Sequence, residues 1–302
     1  MDSIPGIVDA RLFRGEHAKA SQGPDLLIEI PHGATRTEDF RMVERRLTSL
    51  LPQSLADFFH VNTDAGAPEL AEAVARRFVT LEPERVVLVL RCRIPRTFID
   101  CNRRIDASPE DLKAGGVTPG LMPWITTPED RELLVALHEG YVGVVRAASH
   151  GLAPDGAMVM LHSYAPRSVD VEVDLQIVES LHRAYQPEVE MSFPLRPEID
   201  VISRATDGAS HAPASVIDTL SRGFAALGIT VADSATYPLH PSTLAWEHVM
   251  RHPGRALCLD VRRDLLADPF DPFVEMSIGP AKVARLCEPL VSALRCWWPQ
   301  AR

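Results

Sequence analysis

The chain has no excess of positive charge: 31 Lys and Arg stand against 41 Asp and Glu, a formal net charge of −10. Nucleic-acid binders neutralise phosphates with clustered Lys and Arg, so this balance argues against that class. No apolar run approaches the roughly 18 residues of a membrane span. The segment Met1 to Gly15 interleaves Asp2, Asp9, Arg11 and Arg14 with apolar residues, unlike the charged-then-apolar layout of a secretory signal. A cytoplasmic protein is expected, with neither nucleic acid nor membrane as partner. The five cysteines (Cys92, Cys101, Cys258, Cys287, Cys296) are odd in number and include no Cys-x-x-Cys pair. They read as reduced, mostly buried thiols rather than as a disulfide frame or thiol metal site. Also missing are the Gly-x-Ser-x-Gly elbow of serine hydrolases and the glycine loops that cradle dinucleotides and phosphates.

What remains is an ordinary globular composition, 46% hydrophobic and 24% charged. With no clear linker or internal repeat, residues 1–302 are expected to form one domain. Short apolar runs at Asp25–Ile30, Val86–Leu90, Ala157–Leu161, Ile229–Ala232 and Ala256–Val261 read as strands. The Val-rich run Val86–Leu90 suits an interior strand covered on both faces. Between them, Thr37–Leu51, Glu69–Phe78, Thr127–Ser149, Ala214–Leu227 and Pro280–Trp298 have helical spacing. Thr127 and Pro128 supply an N-cap and first helical position, and Gly228 a C-terminal stop. Strands alternating with helices indicate an α/β sheet. The stretch near residues 101–125 breaks the pattern with charges, Pro, Gly and Ser, and is expected to be a lid-like insertion.

Two predicted strand ends deliver a histidine, His32 and His162, and Asp64 lies on the loop before the Glu69 helix. Open α/β sheets gather their ligands at strand ends. Two imidazoles and a carboxylate, with a fourth position left to water, suit catalytic zinc, although a single histidine there can equally cap a turn. After the Val86 strand, Arg96, Asp100 and Asn102 would share one face of an extended stretch, with Arg103 alongside. A guanidinium beside a primary amide can hold a carboxylate, or the group can be a salt-bridge cluster. Asp260 sits inside an apolar run, where a carboxylate needs either a partner such as Arg262 or a task in proton transfer. His240 and Arg262 are further candidates for the pocket, and Glu275 is the next candidate base if Asp260 serves another purpose.

In order, Ile30-Pro31-His32-Gly33, Thr63-Asp64, Arg96-Thr97-Phe98-Ile99-Asp100-Cys101-Asn102-Arg103, Leu161-His162-Ser163 and Leu259-Asp260-Val261 resemble the N-formylglutamate amidohydrolase family, over roughly residues 25–270. The resemblance implies a carboxypeptidase-like fold, a three-layer α/β/α sandwich around a mixed, mostly parallel sheet. It further implies one Zn2+ per chain on His32, Asp64 and His162, a small-molecule substrate, and a substrate carboxylate held by Arg96, Asn102 and Arg103. Two positions depart from the family pattern. Asp260 replaces a glutamate one methylene longer, and Met160-Leu161 stands where Asp-Ala is usual before the His-Ser pair. Alternatives to N-formylglutamate hydrolysis are therefore another N-acyl amino acid or short peptide, or a binding protein that has lost its base.

Overall fold

A computed structural model describes residues 1–298, in chain order β1 (Val8–Arg14), β2 (Leu26–Ile30), α1 (Thr37–Glu44), α2 (Leu55–Asn62), α3 (Ala67–Leu81), β3 (Val86–Cys92), α4 (Pro109–Ala114), α5 (Pro128–His150) and β4 (Ala157–Tyr164). There follow α6 (Ile177–Ala184), α7 (Pro187–Glu190), β5 (Ile199–Val201), α8 (Ala214–Ala225), β6 (Val231–Asp233), α9 (Leu244–Arg251), β7 (Ala256–Arg262) and α10 (Pro280–Arg295). The strands form one sheet in the order β1-β3-β2-β4-β7-β5-β6. The ladders β2–β3, β2–β4, β4–β7 and β5–β6 are parallel, whereas β1 joins β3 and β5 joins β7 antiparallel.

Alternation along the strands builds the two hydrophobic layers, because successive side chains leave opposite faces of a sheet. Leu26, Ile28 and Ile30 of β2, with Val159 and Leu161 of β4 and Leu257, Leu259 and Val261 of β7, pack against α3, α8 and α10. Leu27, Met158, Met160, Ala256 and Cys258 face the other way, onto residues of α1, α2, α5, α6 and α9. The result is the expected three-layer sandwich. Among the described residues no helix is long and apolar enough to cross a membrane.

The topology also selects where a ligand belongs. From β2 the chain crosses to β3 on one side, through α3, and then returns to β4 on the other side, through α5. The C-terminal ends of β2 and β4 thus flank the point where strand order reverses, the usual crevice of an open α/β sheet.

Several boundaries differ from the sequence expectation. The helix predicted for Thr37–Leu51 stops at Glu44, because the backbone N–H groups of Thr48 and Ser49 donate to the Asp130 carboxylate instead of continuing the helix. Residues 95–103 are not an extended strand but a succession of turns, so the period-two argument for a shared face does not apply there. The stretch 101–125 contains α4, and its Val117, Thr118 and Met122 line the cavity described next.

Candidate metal centre

His32 follows β2 directly, and His162 lies within β4, two residues past Met160 and so on the same face. Asp64 is brought to them by the loop between α2 and α3. Its backbone N–H donates to His32 O, the Thr63 hydroxyl to Ala34 O at 2.5 Å, and the Ser163 hydroxyl to Ala65 O at 2.9 Å. Gly66 closes that loop with φ +87°, and a Cβ there would stand 2.6 Å from the Leu266 side chain. Only glycine combines that backbone with that contact.

The three side chains offer one donor atom each to a common point: His32 Nδ1, His162 Nδ1 and Asp64 Oδ2 all lie within 4.8 Å of one another. Asp64 Oδ2 is 3.3 Å from His32 Nδ1 and 2.9 Å from His162 Nδ1, and the two imidazole nitrogens are 3.2 Å apart. All three residues are buried. Burial alone would raise the Asp64 carboxyl, but the two imidazoles outweigh it and hold the group well below the usual carboxylate range.

Behind this triad stands a residue whose role sequence reasoning missed. Asp100 Oδ1 lies 2.7 Å from His32 Nε2 and accepts the Asn102 backbone N–H at 2.8 Å. Its other oxygen meets Arg96 at 2.9 Å and Arg103 at 3.6 Å. Burial would raise this carboxyl, yet Arg103, His32 and Arg96 keep it ionised. An ionised acceptor on Nε2 places the ring proton there and turns the Nδ1 lone pair toward Asp64 and His162, the arrangement by which a carboxylate orients a metal-binding histidine. His162 has no such support: among the described residues its Nε2 makes no hydrogen bond of normal geometry, and the Cys258 thiol stands beside the ring. That bare nitrogen is the structural counterpart of the apolar Met160-Leu161 pair in the sequence.

The triad opens into a cavity of about 270 Å³ that is also lined by Arg96, Asn102, Arg103, Arg196, Tyr237, Asp260 and Arg263. Asp260 is paired in register with His162 across the β4–β7 ladder. No cation lies within ion-pairing distance of it among the described residues; Arg262, its expected partner, binds Asp264 instead. Burial pushes the Asp260 carboxyl up to about 6, against the opposing pull of His162.

Three expectations are corrected by position. Arg262 turns away from the cavity, giving Nε to Asp264 at 2.8 Å and Nη1 to Arg196 O at 3.0 Å. His240 is buried against Ser242 and packed where any side chain on Gly115 would strike it, outside the lining. Glu275 caps Thr37 and pairs with Arg36, also away from the cavity. The arginines that do reach the lining without having been foreseen are Arg167, Arg196 and Arg263.

A mixed α/β sheet with a buried His-Asp-His cluster beside a carboxyl that has no cation partner among the described residues defines an α/β protein with a candidate mononuclear metal site. Residues 25–267 match the family model described as N-formylglutamate amidohydrolase, and the chain belongs to that family. Its fold resembles the crystal structure of N-formylglutamate amidohydrolase from Ralstonia eutropha JMP134, at a TM-score of 0.59 and 16% identity over 95% of this chain and 96% of that one. It also resembles the gene product Atu2144 from Agrobacterium tumefaciens, at 0.53 and 17% over 96% and 94%. No curated protein matches the chain.

Proposed function

We propose that this chain is a zinc-dependent amidohydrolase that removes the N-acyl group, foremost N-formyl, from a small acidic amino acid such as N-formylglutamate. The observation that carries the reading is the convergence of His32 Nδ1, His162 Nδ1 and Asp64 Oδ2 in one cavity with Asp260, a carboxyl that has no cation partner among the described residues. Two imidazole nitrogens and a carboxylate oxygen, with the His32 tautomer fixed from behind by Asp100, fit the donor preferences of zinc. Zinc held by these residues would polarise the scissile carbonyl and lower the pKa of a water molecule.

The rest of the chemistry falls to the chain itself. Asp260, ionised at neutral pH, accepts a proton from the water that adds to the carbonyl carbon. As the C–N bond breaks, the same carboxyl returns the proton to the departing nitrogen, giving a free carboxylic acid and an amine. Arg96 and Arg103 keep Asp100 ionised and thereby keep the His32 ring in place. A substrate carboxylate is met by the cationic part of the lining.

The reading is tested by measuring metal content and turnover together. About one zinc per chain and hydrolysis of N-formyl-L-glutamate support it; a metal-free protein inert toward every N-acyl amino acid would refute it. The apolar part of the lining, including Phe58, Val61, Val171, Val173 and Leu181, favours a second reading. In that version the substrate is an N-acyl amino acid with an apolar group, recognised by a larger kcat/KM for N-formyl-L-leucine than for N-formyl-L-glutamate.

A further inference from the structure

Five arginines line the cavity, and they divide into two kinds. Arg96 and Arg103 both lean on Asp100; Arg103 spends Nε and Nη1 on the carbonyls of Thr118 and Asn102, while Arg96 Nε has no partner among the described residues. A guanidinium already facing a carboxylate has less field left for a second one, even where a donor is free. The remaining three have no carboxylate within ion-pairing distance among the described residues; of these, Arg167, half-buried, donates Nη1 to Phe193 O at 2.7 Å. Arg196 donates to the Ser168 and Tyr237 hydroxyls and lies over the rings of Tyr164 and Tyr237. Arg263, only 2% exposed, donates to the carbonyls of Val61 and Ser163, and its Nε has no partner among the described residues.

A buried cation without a counter-ion is costly, and its usual remedies are a partner or loss of the charge. Asp64 is the nearby carboxylate that acts on Arg263, but its Oδ2 faces the two imidazoles. Burial draws the Arg263 guanidinium down to about 10, still charged at neutral pH. The bond to the carbonyl of Ser163, the neighbour of His162, fixes this charge at the edge of the metal centre. A carboxylate entering the cavity would supply the missing counter-ion and accept from the open Nε, with the planar fork able to bind it through two oxygens.

We infer that Arg263, seconded by Arg196, is the residue that recognises the substrate's carboxylate, a task the sequence resemblance assigns to Arg96, Asn102 and Arg103. The inference rests on the amidohydrolase reading above for the identity of the ligand. It gives the arginines distinct duties: Arg96 and Arg103 position His32 through Asp100, and Arg263 selects an anion.

The test compares each N-formyl amino acid with its carboxamide, N-formyl-L-glutamate and N-formyl-L-leucine against their α- and, for glutamate, γ-amides. The parent should prefer at least one carboxylate over its amide by 10-fold or more in kcat/KM. In Arg263→Met that ratio should fall toward 1, chiefly through KM, while Arg263→Lys retains part of it. Arg103→Met should lower kcat and zinc content yet keep the parental ratio. If Arg263→Met keeps the ratio and Arg103→Met abolishes it, the inference is overturned and the resemblance-based assignment stands. If Arg263→Met does not fold, the lysine variant decides: an undiminished ratio there overturns the inference. If the parent hydrolyses none of these compounds, the amidohydrolase reading fails separately. Calorimetric binding of N-formyl-L-glutamate then decides, with at least 10-fold weaker binding to Arg263→Lys expected and equal binding overturning the assignment.

Discussion

Asp260 shows how a single buried residue can favour chemistry at the expense of stability. Its carboxyl titrates near 6 in the folded chain and near 3.9 when unfolded. Because the folded form holds its proton to the higher pH, folding takes up protons between those values, and stability falls as pH rises from about 4 to 6. In metal-free protein at pH 7, Asp260→Asn should therefore be more stable than the parent, by about 1–3 kcal/mol, in urea titrations. The same variant should keep zinc and lose roughly 10²–10⁴ in kcat. A variant that is both destabilised and fully active would remove Asp260 from the mechanism. The cluster His32, Asp64 and His162 was legible in the sequence because each belongs to a short motif, at an element boundary for His32 and Asp64 and near the end of a strand for His162. Arg263 was not: β7 ends at Arg262, and the tight turn at Arg263–Leu265 sends the next guanidinium inward and Arg262 toward Asp264. Neither propensity nor period distinguishes two adjacent arginines at such a turn.

Elements with strong apolar periods or explicit caps were the legible ones. β2, β3, β4 and β7 are mostly apolar and largely buried on both faces, interrupted only by a few charged or polar residues such as Glu29, His162 and Asp260, and α5 begins where Thr127 accepts the Asp130 N–H. β1 was hidden because an edge strand carrying Asp9, Arg11 and Arg14 has an incomplete apolar pattern. α2 spans eight residues and starts from Ser54 at φ 57° without a side-chain cap, and β5 has three residues. Asp130 ties two elements together, since it lies in the first turn of α5 and accepts the N–H groups of Thr48 and Ser49 beyond α1. Burial would raise this carboxyl, but those hydrogen bonds hold it at about 2. A depressed folded value adds stability above about pH 4, and the gain disappears as pH falls toward 2. Asp130→Asn should cost about 1.5–3 kcal/mol at pH 7, the worth of charged hydrogen bonds, and little near pH 2. A stability gap that does not change with pH would show that shape, not charge, is what Asp130 contributes.

At the scale of the whole molecule, the sequence motifs could order the site but not the sheet, since strand order depends on crossovers that no local pattern records. In the folded chain His32 comes from the end of β2, Asp64 from the α2–α3 loop and His162 from β4, so one ion would join a helix layer to two adjacent strands of the sheet. An ion that binds only the folded state stabilises it by mass action, about 4.1 kcal/mol at a thousand times its Kd. For a chain of this size, at about 2 °C per kcal/mol, the melting temperature should rise by roughly 5–10 °C when zinc is added to chelator-treated protein. His32→Ala should melt at the same temperature with and without zinc, because one of the three donors is gone. Asp100→Asn keeps all three donors but loses the ionised acceptor that fixes the His32 tautomer, and should need about 10–100 times more zinc for the same shift. Differential scanning calorimetry across a zinc series separates these cases. A parental protein whose melting temperature ignores both zinc and chelator would mean that His32, Asp64 and His162 hold each other by hydrogen bonds alone, and the metal site would have to be abandoned.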